Sequence, residues 1–175
     1  MQFEPSSVEG AFVIRPQPRP DERGHFARIY CAAELAEHRL VSDFVQINTG
    51  VSPRAGTLRG MHYQAAPHAE VKIARCVRGA AFDVVVDLRP DSPTYKHWFG
   101  VELSADNGLM LYAPAGTAHG YLTLRPDTEV TYLTSKPYAP DAVRGVRFDD
   151  PAFGIEWPAD ITLVSQADRA WPDFR

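Results

Sequence analysis

Two short stretches of this 175-residue chain carry side chains that can move protons or bind a metal. In the first, Gly56 is followed by His62, Gln64, Glu70, Lys72 and Gly79; in the second, Gly108 is followed by Pro114, Gly116 and His119. Side chains on a strand repeat every second residue, so His62 and Gln64 share one face, as do Glu70 and Lys72. Two kinds of chemistry fit this set. A histidine titrates near neutral pH and can serve as a general base. Alternatively, His62, Glu70 and His119 supply the two-histidine, one-carboxylate set of a non-haem iron site. Gln64 is a poor metal ligand, and Lys72 puts a cation on the face of Glu70 where a metal would sit.

The elements that must position these residues read as strands. Short segments rich in Val, Tyr, Phe and Thr recur between Gly, Pro, Asn and Asp. Strands are predicted over 11–15, 27–31, 44–52, 57–63, 71–78, 81–88, 95–103, 109–113, 120–124 and 129–136. In 81–88, Asp83 and Asp87 flank an apolar stretch. Turn chemistry separates the strands at Arg78-Gly79, at 89–93, at 105–108 and at Pro114-Ala115-Gly116. One helix is predicted over 32–39, with Leu35 as its apolar anchor. Fifteen prolines speak against a helical protein. The expected fold class is all-β, a jelly-roll barrel with one or more short helices. The length fits a single domain over 1–175, without repeats or a linker.

Composition narrows the partners. A formal charge of −4 gives no reason to expect nucleic acid. No apolar run approaches the roughly 20 residues that span a bilayer, so no membrane partner is expected. The N-terminal Met-Gln-Phe-Glu-Pro lacks the basic start of a secretion signal. Cys31 and Cys76 read as two reduced thiols, which points to the cytoplasm.

The spacing around both histidines resembles the paired signatures of the cupin barrel, or double-stranded β-helix, in which adjacent strands aim histidines into one mouth. Gln64 stands where a second metal histidine is usual there, and Thr123 where Asn is frequent. A narrower likeness lies in Gly56-Thr-Leu-Arg59-Gly-Met-His62-Tyr-Gln64, which is similar to the G-V-L-R-G-L-H-Y-Q core of the dTDP-4-dehydrorhamnose 3,5-epimerase (RmlC-type) family. Ordered matches continue through Asp21-Glu-Arg23-Gly-His-Phe26, Gln46-Ile-Asn48, Lys72, the 83–89 and 92–94 stretches, and Pro114-Ala-Gly-Thr-Ala-His119-Gly. Tyr132, Tyr138, Asp149-Asp-Pro151, Trp157-Pro158 and Ser165-Gln-Ala-Asp168 complete them.

The resemblance implies a cofactor-free, metal-free homodimer acting on a nucleotide sugar. It makes His62 the base, Asp168 its orienting carboxylate, Lys72 the cation that stabilises the enolate, and Tyr132 the proton donor of the opposite face. It assigns substrate contacts to Arg23, Phe26, Gln46, Asn48, Arg59, His119 and Tyr138. N-terminal strands exchange between subunits in this family, so Arg23 and Phe26 are expected to serve the partner's site. The chain departs from the family pattern at Arg28, Gly50, Thr117, Val143 and Ala167.

Overall fold

The computed structural model describes residues 1–174. In chain order the strands are β1 (Gln2–Pro5), β2 (Phe12–Arg15), β3 (Arg19–Asp21), β4 (Gly24–Phe26), β5 (Gln46–Ser52), β6 (Thr57–Gln64) and β7 (Lys72–Arg78). They continue as β8 (Ala80–Asp87), β9 (Trp98–Ser104), β10 (Met110–Ala113), β11 (Thr117–Thr123), β12 (Thr128–Thr134), β13 (Val143–Gly145) and β14 (Leu163–Val164). Two short helices, α1 (Ala32–Glu37) and α2 (Gln166–Arg169), and a 3-10 turn over Pro140–Ala142 complete the elements.

Two sheets form the barrel. One runs β1-β2-β10-β7-β12-β5; the other runs β13-β6-β11-β8-β9, with β14 alongside β6. Pairing is antiparallel except for β14 on β6. This is the jelly-roll architecture expected of the strand-rich sequence.

Alternation sorts the side chains. On β12, Val130 and Thr134 are buried inward with Tyr132 between them, while Glu129, Thr131 and Leu133 face outward. On β7, Ala74 and Cys76 join Val85, Leu111, Tyr121 and Val130 in the barrel core. The outward Ile73 instead packs with Ile14, Leu35, Met110 and Tyr112 in a second cluster, which α1 covers. Outside the other sheet, Met61, Val84, Val86 and Ala118 are roofed by Val146 and Phe153 from the C-terminal segment.

The structure corrects several expectations. Residues 27–31 do not form a strand: pairing ends at Phe26, opposite Arg19. Beyond it, side chains rather than a backbone ladder hold the chain, with Tyr30 Oη donating to Ser42 O at 2.6 Å and Arg28 paired to Glu34 at 2.6 Å. The strand predicted over 120–124 begins earlier, at Thr117, because the turn closes at Gly116. Asp83 and Asp87, which flank the apolar stretch of β8, are both fully buried. Asp87 meets the donors of Arg89, Ser92 and Thr94, which hold its carboxylate far below its usual range against the opposing push of burial. Cys31 is half-buried and Cys76 buried, both as free thiols.

Candidate active site

The site opens between the sheets, and a local irregularity in β6 builds one wall of it. His62 pairs with His119 across β11, but Arg59, not Gly60, pairs with Tyr121. Gly60 and Met61 of β6 thus oppose the single Gly120 of β11, a β-bulge. Without it, Arg59 and His62 would point to opposite faces, since their spacing is odd. With it, both line one cavity of about 710 Å³, together with Lys72, His119, Tyr121, Tyr132 and Asp168.

Gly60 makes the bulge possible. Its φ of +121° suits glycine, and a Cβ there would lie 2.6 Å from Gly120 Cα and 2.8 Å from His119 O. The bulged Gly60 N–H points at Asp168 and donates to Oδ2 at 3.4 Å. The other oxygen, Oδ1, lies 2.5 Å from His62 Nε2. Asp168 itself is placed by a cap: Ser165 begins α2, and its Oγ accepts the Asp168 N–H at 3.0 Å.

Burial pushes the Asp168 carboxyl up, but the His62 hydrogen bond and charge, with the Ser165 and Gly60 contacts, outweigh it and hold the group below its usual range. The carboxylate therefore accepts from Nε2–H. That tautomer leaves Nδ1 of His62 as the ring nitrogen with a lone pair, ready to take a proton.

The opposite wall belongs to the other sheet. Tyr132 on β12 pairs with Asn48 of β5 and Ala74 of β7. Burial raises its phenol above the ordinary tyrosine value, as does the Glu70 carboxylate, while Arg59 opposes them. Tyr132 is thus a protonated donor at neutral pH. Neighbouring Tyr121 is pushed by burial up to about 12.

Lys72 stands between the walls. Its Nζ is 3.1 Å from Glu70 Oε1 and donates to the His62 carbonyl at 3.3 Å. Glu70 also accepts from the Gln64 amide at 3.0 Å, and the Gln64 oxygen accepts from Ala139 N–H at 2.7 Å. The face-sharing of Glu70 and Lys72 read from the sequence is therefore an ion pair in the fold.

His119 has its own acidic partner, Asp83, with Nε2 and Oδ1 2.7 Å apart. His62, Glu70 and His119 each engage a different partner rather than converging. Among the described residues, no group of three or more His, Cys, Asp or Glu side chains is placed to hold a metal ion.

A second cavity of about 380 Å³ shares His62, Lys72 and Tyr132 and adds Gln46, Asn48 and Tyr138. Gln46 donates to Asn48 Oδ1 at 3.0 Å and accepts from Tyr138 N–H at 3.0 Å, which fixes this end of the site. The Arg59 guanidinium is held by Ser52 Oγ at 3.2 Å and Val51 O at 3.0 Å.

Nine of the eleven expected site residues thus line two adjoining cavities. The other two do not. Arg23 sits at the tip of the β3-β4 hairpin, paired to Asp21 at 2.6 Å, and Phe26 is 69% exposed, both outside the cavities of their own chain. Sequence reasoning missed roles for Tyr121, Gly60 and Trp171, and it gave Asp83 none. A signal existed for α2, since Ser165-x-x-Asp168 is a helix-start pattern.

Comparison with known proteins identifies the family. The family model described as dTDP-4-dehydrorhamnose 3,5-epimerase matches residues 5–175. A dTDP-4-dehydrorhamnose 3,5-epimerase of Sinorhizobium fredii is 42% identical over 99% of this chain and 90% of its own. The crystal structure of such an enzyme from Bacillus anthracis, with TDP and PPi bound, superposes with a TM-score of 0.94 at 39% identity, covering 99% of both chains. ChmJ, a 3'-monoepimerase of Streptomyces bikiniensis solved with dTDP-quinovose, gives 0.89 at 37% identity, covering 97% of this chain and 86% of its own. With the strands, the cavity and the full-length matches in agreement, the chain belongs to the dTDP-4-dehydrorhamnose 3,5-epimerase family.

Proposed function

We propose that this epimerase inverts C3 and C5 of dTDP-4-keto-6-deoxy-D-glucose to give dTDP-4-keto-L-rhamnose, with His62 as base and Tyr132 as acid. The observation that carries the reading is the His62–Asp168 pair on one wall of a cavity whose other wall holds Tyr132. A ketone at C4 acidifies the C–H bonds on either side of it. His62 Nδ1 takes the proton, and the C–H electron pair passes into an enolate whose oxygen gains negative charge. Lys72 lies in the same cavity and supplies the compensating cation. Tyr132 then delivers its proton to the same carbon from the opposite side, which inverts it. Asp168 holds the imidazolium formed in the first step. No electrons leave the substrate, so the reaction needs no cofactor.

In D2O, the enzyme should place solvent deuterium at both C3 and C5 of the 4-keto sugar nucleotide, read by NMR. Label at C3 alone would narrow the activity to a single inversion, and label at neither would overturn the reading. Tyr132→Phe separates the two half-steps. It should retain deuterium wash-in driven by His62 while inversion falls by about 10²-fold or more. Because the Tyr132 phenol is raised, the alkaline fall in wild-type activity should lie above the ordinary tyrosine value of about 10.

Gln46, Asn48, Arg59, His119 and Tyr138 are proposed substrate contacts. A guanidinium fork suits the diphosphate, and Arg59 is already oriented by its bonds to β5. The same reading includes one domain, a homodimer and the cytoplasm. Exposed Arg23 and Phe26 support a second copy that borrows them for its cavity. Val45 and Ile47, 53% and 68% exposed beside and on β5, support a covered apolar face. The two free thiols suit a reducing compartment. Ile47→Asp should shift the mass in light scattering from twice 19.4 kDa to 19.4 kDa; a wild-type monomer would remove the dimer.

A further inference from the structure

The carboxylate that orients His62 comes from a weakly self-supporting element. The α2 helix has only four residues, and a single turn does not hold its own shape in water. Asp168 must therefore be held by what flanks it. On the N-terminal side, β14 pairs with β6 through Leu163 and Val164. On the C-terminal side, three residues beyond Asp168, stands Trp171.

The indole of Trp171 lies against Gly145 of β13. A Cβ at Gly145 would sit 2.3 Å from its Cε2, 2.4 Å from its Nε1 and 2.8 Å from Met61 O. Only a bare Cα admits the ring. Gly145 is also the residue of β13 that pairs with His62. The contact thus joins the segment bearing Asp168 to the backbone position opposite the base. The indole N–H is buried and has no hydrogen-bond partner among the described residues. The nearby Met61 carbonyl already accepts from Val146 N–H at 3.1 Å. Packing rather than a hydrogen bond therefore fixes the ring, and its remaining surface lines the cavity beside Asp168 and His62.

We propose that Trp171 is a positioning residue that keys onto Gly145 and sets the geometry of the Asp168–His62 pair. It acts through Asp168, and the inference rests on the proton-transfer reading above. A carboxylate in place stabilises the imidazolium; one displaced by an ångström does so less. Reaction geometry is sensitive at that scale, with losses of about 10²-fold for such shifts.

Trp171→Ala should lower kcat about 10- to 100-fold with little change in KM, and move the acidic limb of the kcat/KM profile to lower pH. Trp171→Phe, which keeps a flat ring over Gly145, should restore part of kcat and of the limb. Gly145→Ala pushes the ring away from the other side and should reproduce the Trp171→Ala profile. In an Asp168→Asn background, Trp171→Ala should have no further effect on the limb, because the pathway through the carboxylate is already cut. Circular dichroism and thermal melting confirm that each variant is folded at the assay temperature. An unmoved limb, a rise in KM alone, or full additivity with Asp168→Asn would overturn the inference while leaving His62 as base. Loss of the base reading shows separately, as deuterium exchange that survives His62→Ala.

Discussion

His62→Ala should lower the rate of deuterium exchange and inversion by about 10²- to 10⁴-fold, the range that a positioned general base contributes. The size follows from the surroundings. Four titratable neighbours in the cavity are committed: Asp168 is an ionised acceptor held below its usual range, and Tyr132 is a donor held above its own. His119 is turned to Asp83, and Lys72 to Glu70. None is a free base to take over at neutral pH. The fold should survive, because His62 has a 40% exposed side chain, and removing it opens no core cavity. The decisive measurement is exchange by NMR alongside a melting curve. A variant that melts normally and still exchanges at the wild-type rate would sink His62 as the base.

Gly60→Ala should be the most damaging small substitution in the barrel. It combines a φ of +121°, which a side chain rarely adopts, with a Cβ placed 2.6 Å from backbone on β11. Strain of about 1–3 kcal/mol adds to overpacking of about 1–3 kcal/mol, and the obstructing atom is backbone, which cannot rotate away. Relief would require β6 and β11 to part, and His62 and His119 are paired on those strands. The Gly60 N–H to Asp168 would shift as well. Urea unfolding should show a loss of about 2–6 kcal/mol by that sum, and exchange activity should fall even where protein remains folded. A variant as stable and as active as wild type would mean that the bulge does not shape the site.

These two predictions rest on features that differ in how readable they are in the sequence. The strands that carry the chemistry were legible because β-propensity, alternation and turn residues agree along them. β7, β8, β10 and β12 fall within two residues of their predicted bounds at each end. The face shared by His62 and Gln64 was legible for the same reason. The approach of Arg59 to His62 was not, because a bulge breaks the two-residue period and depends on a partner strand. The 27–31 segment misled because Ile29 and Tyr30 have strand propensity, while pairing needs an available neighbour. The burial of Asp83 and Asp87 was not legible, because it depends on partners brought by other segments: His119 for Asp83, and Arg89 with the 92–94 turn for Asp87. Asp168 was found through the family motif. Its Ser165 cap is local and readable, but the bulged Gly60 amide comes from a distant strand, and the packing of Trp171 on Gly145 is a tertiary contact that no local pattern announces.

The two walls of the cavity belong to different sheets, and packed sheets sit roughly 10 Å apart. The gap between base and acid is therefore a property of barrel thickness. Ala74, Cys76, Val85, Leu111 and Val130, which never meet the cavity, act as its spacers. A bulkier side chain at Ala74, the neighbour of Tyr132 across the strands, would work as a shim, changing how far a proton must travel on each side of the sugar ring. The interior of this barrel is in that sense a gauge block. Its volume, as much as the identity of His62 or Tyr132, determines which ring can be reached from both faces.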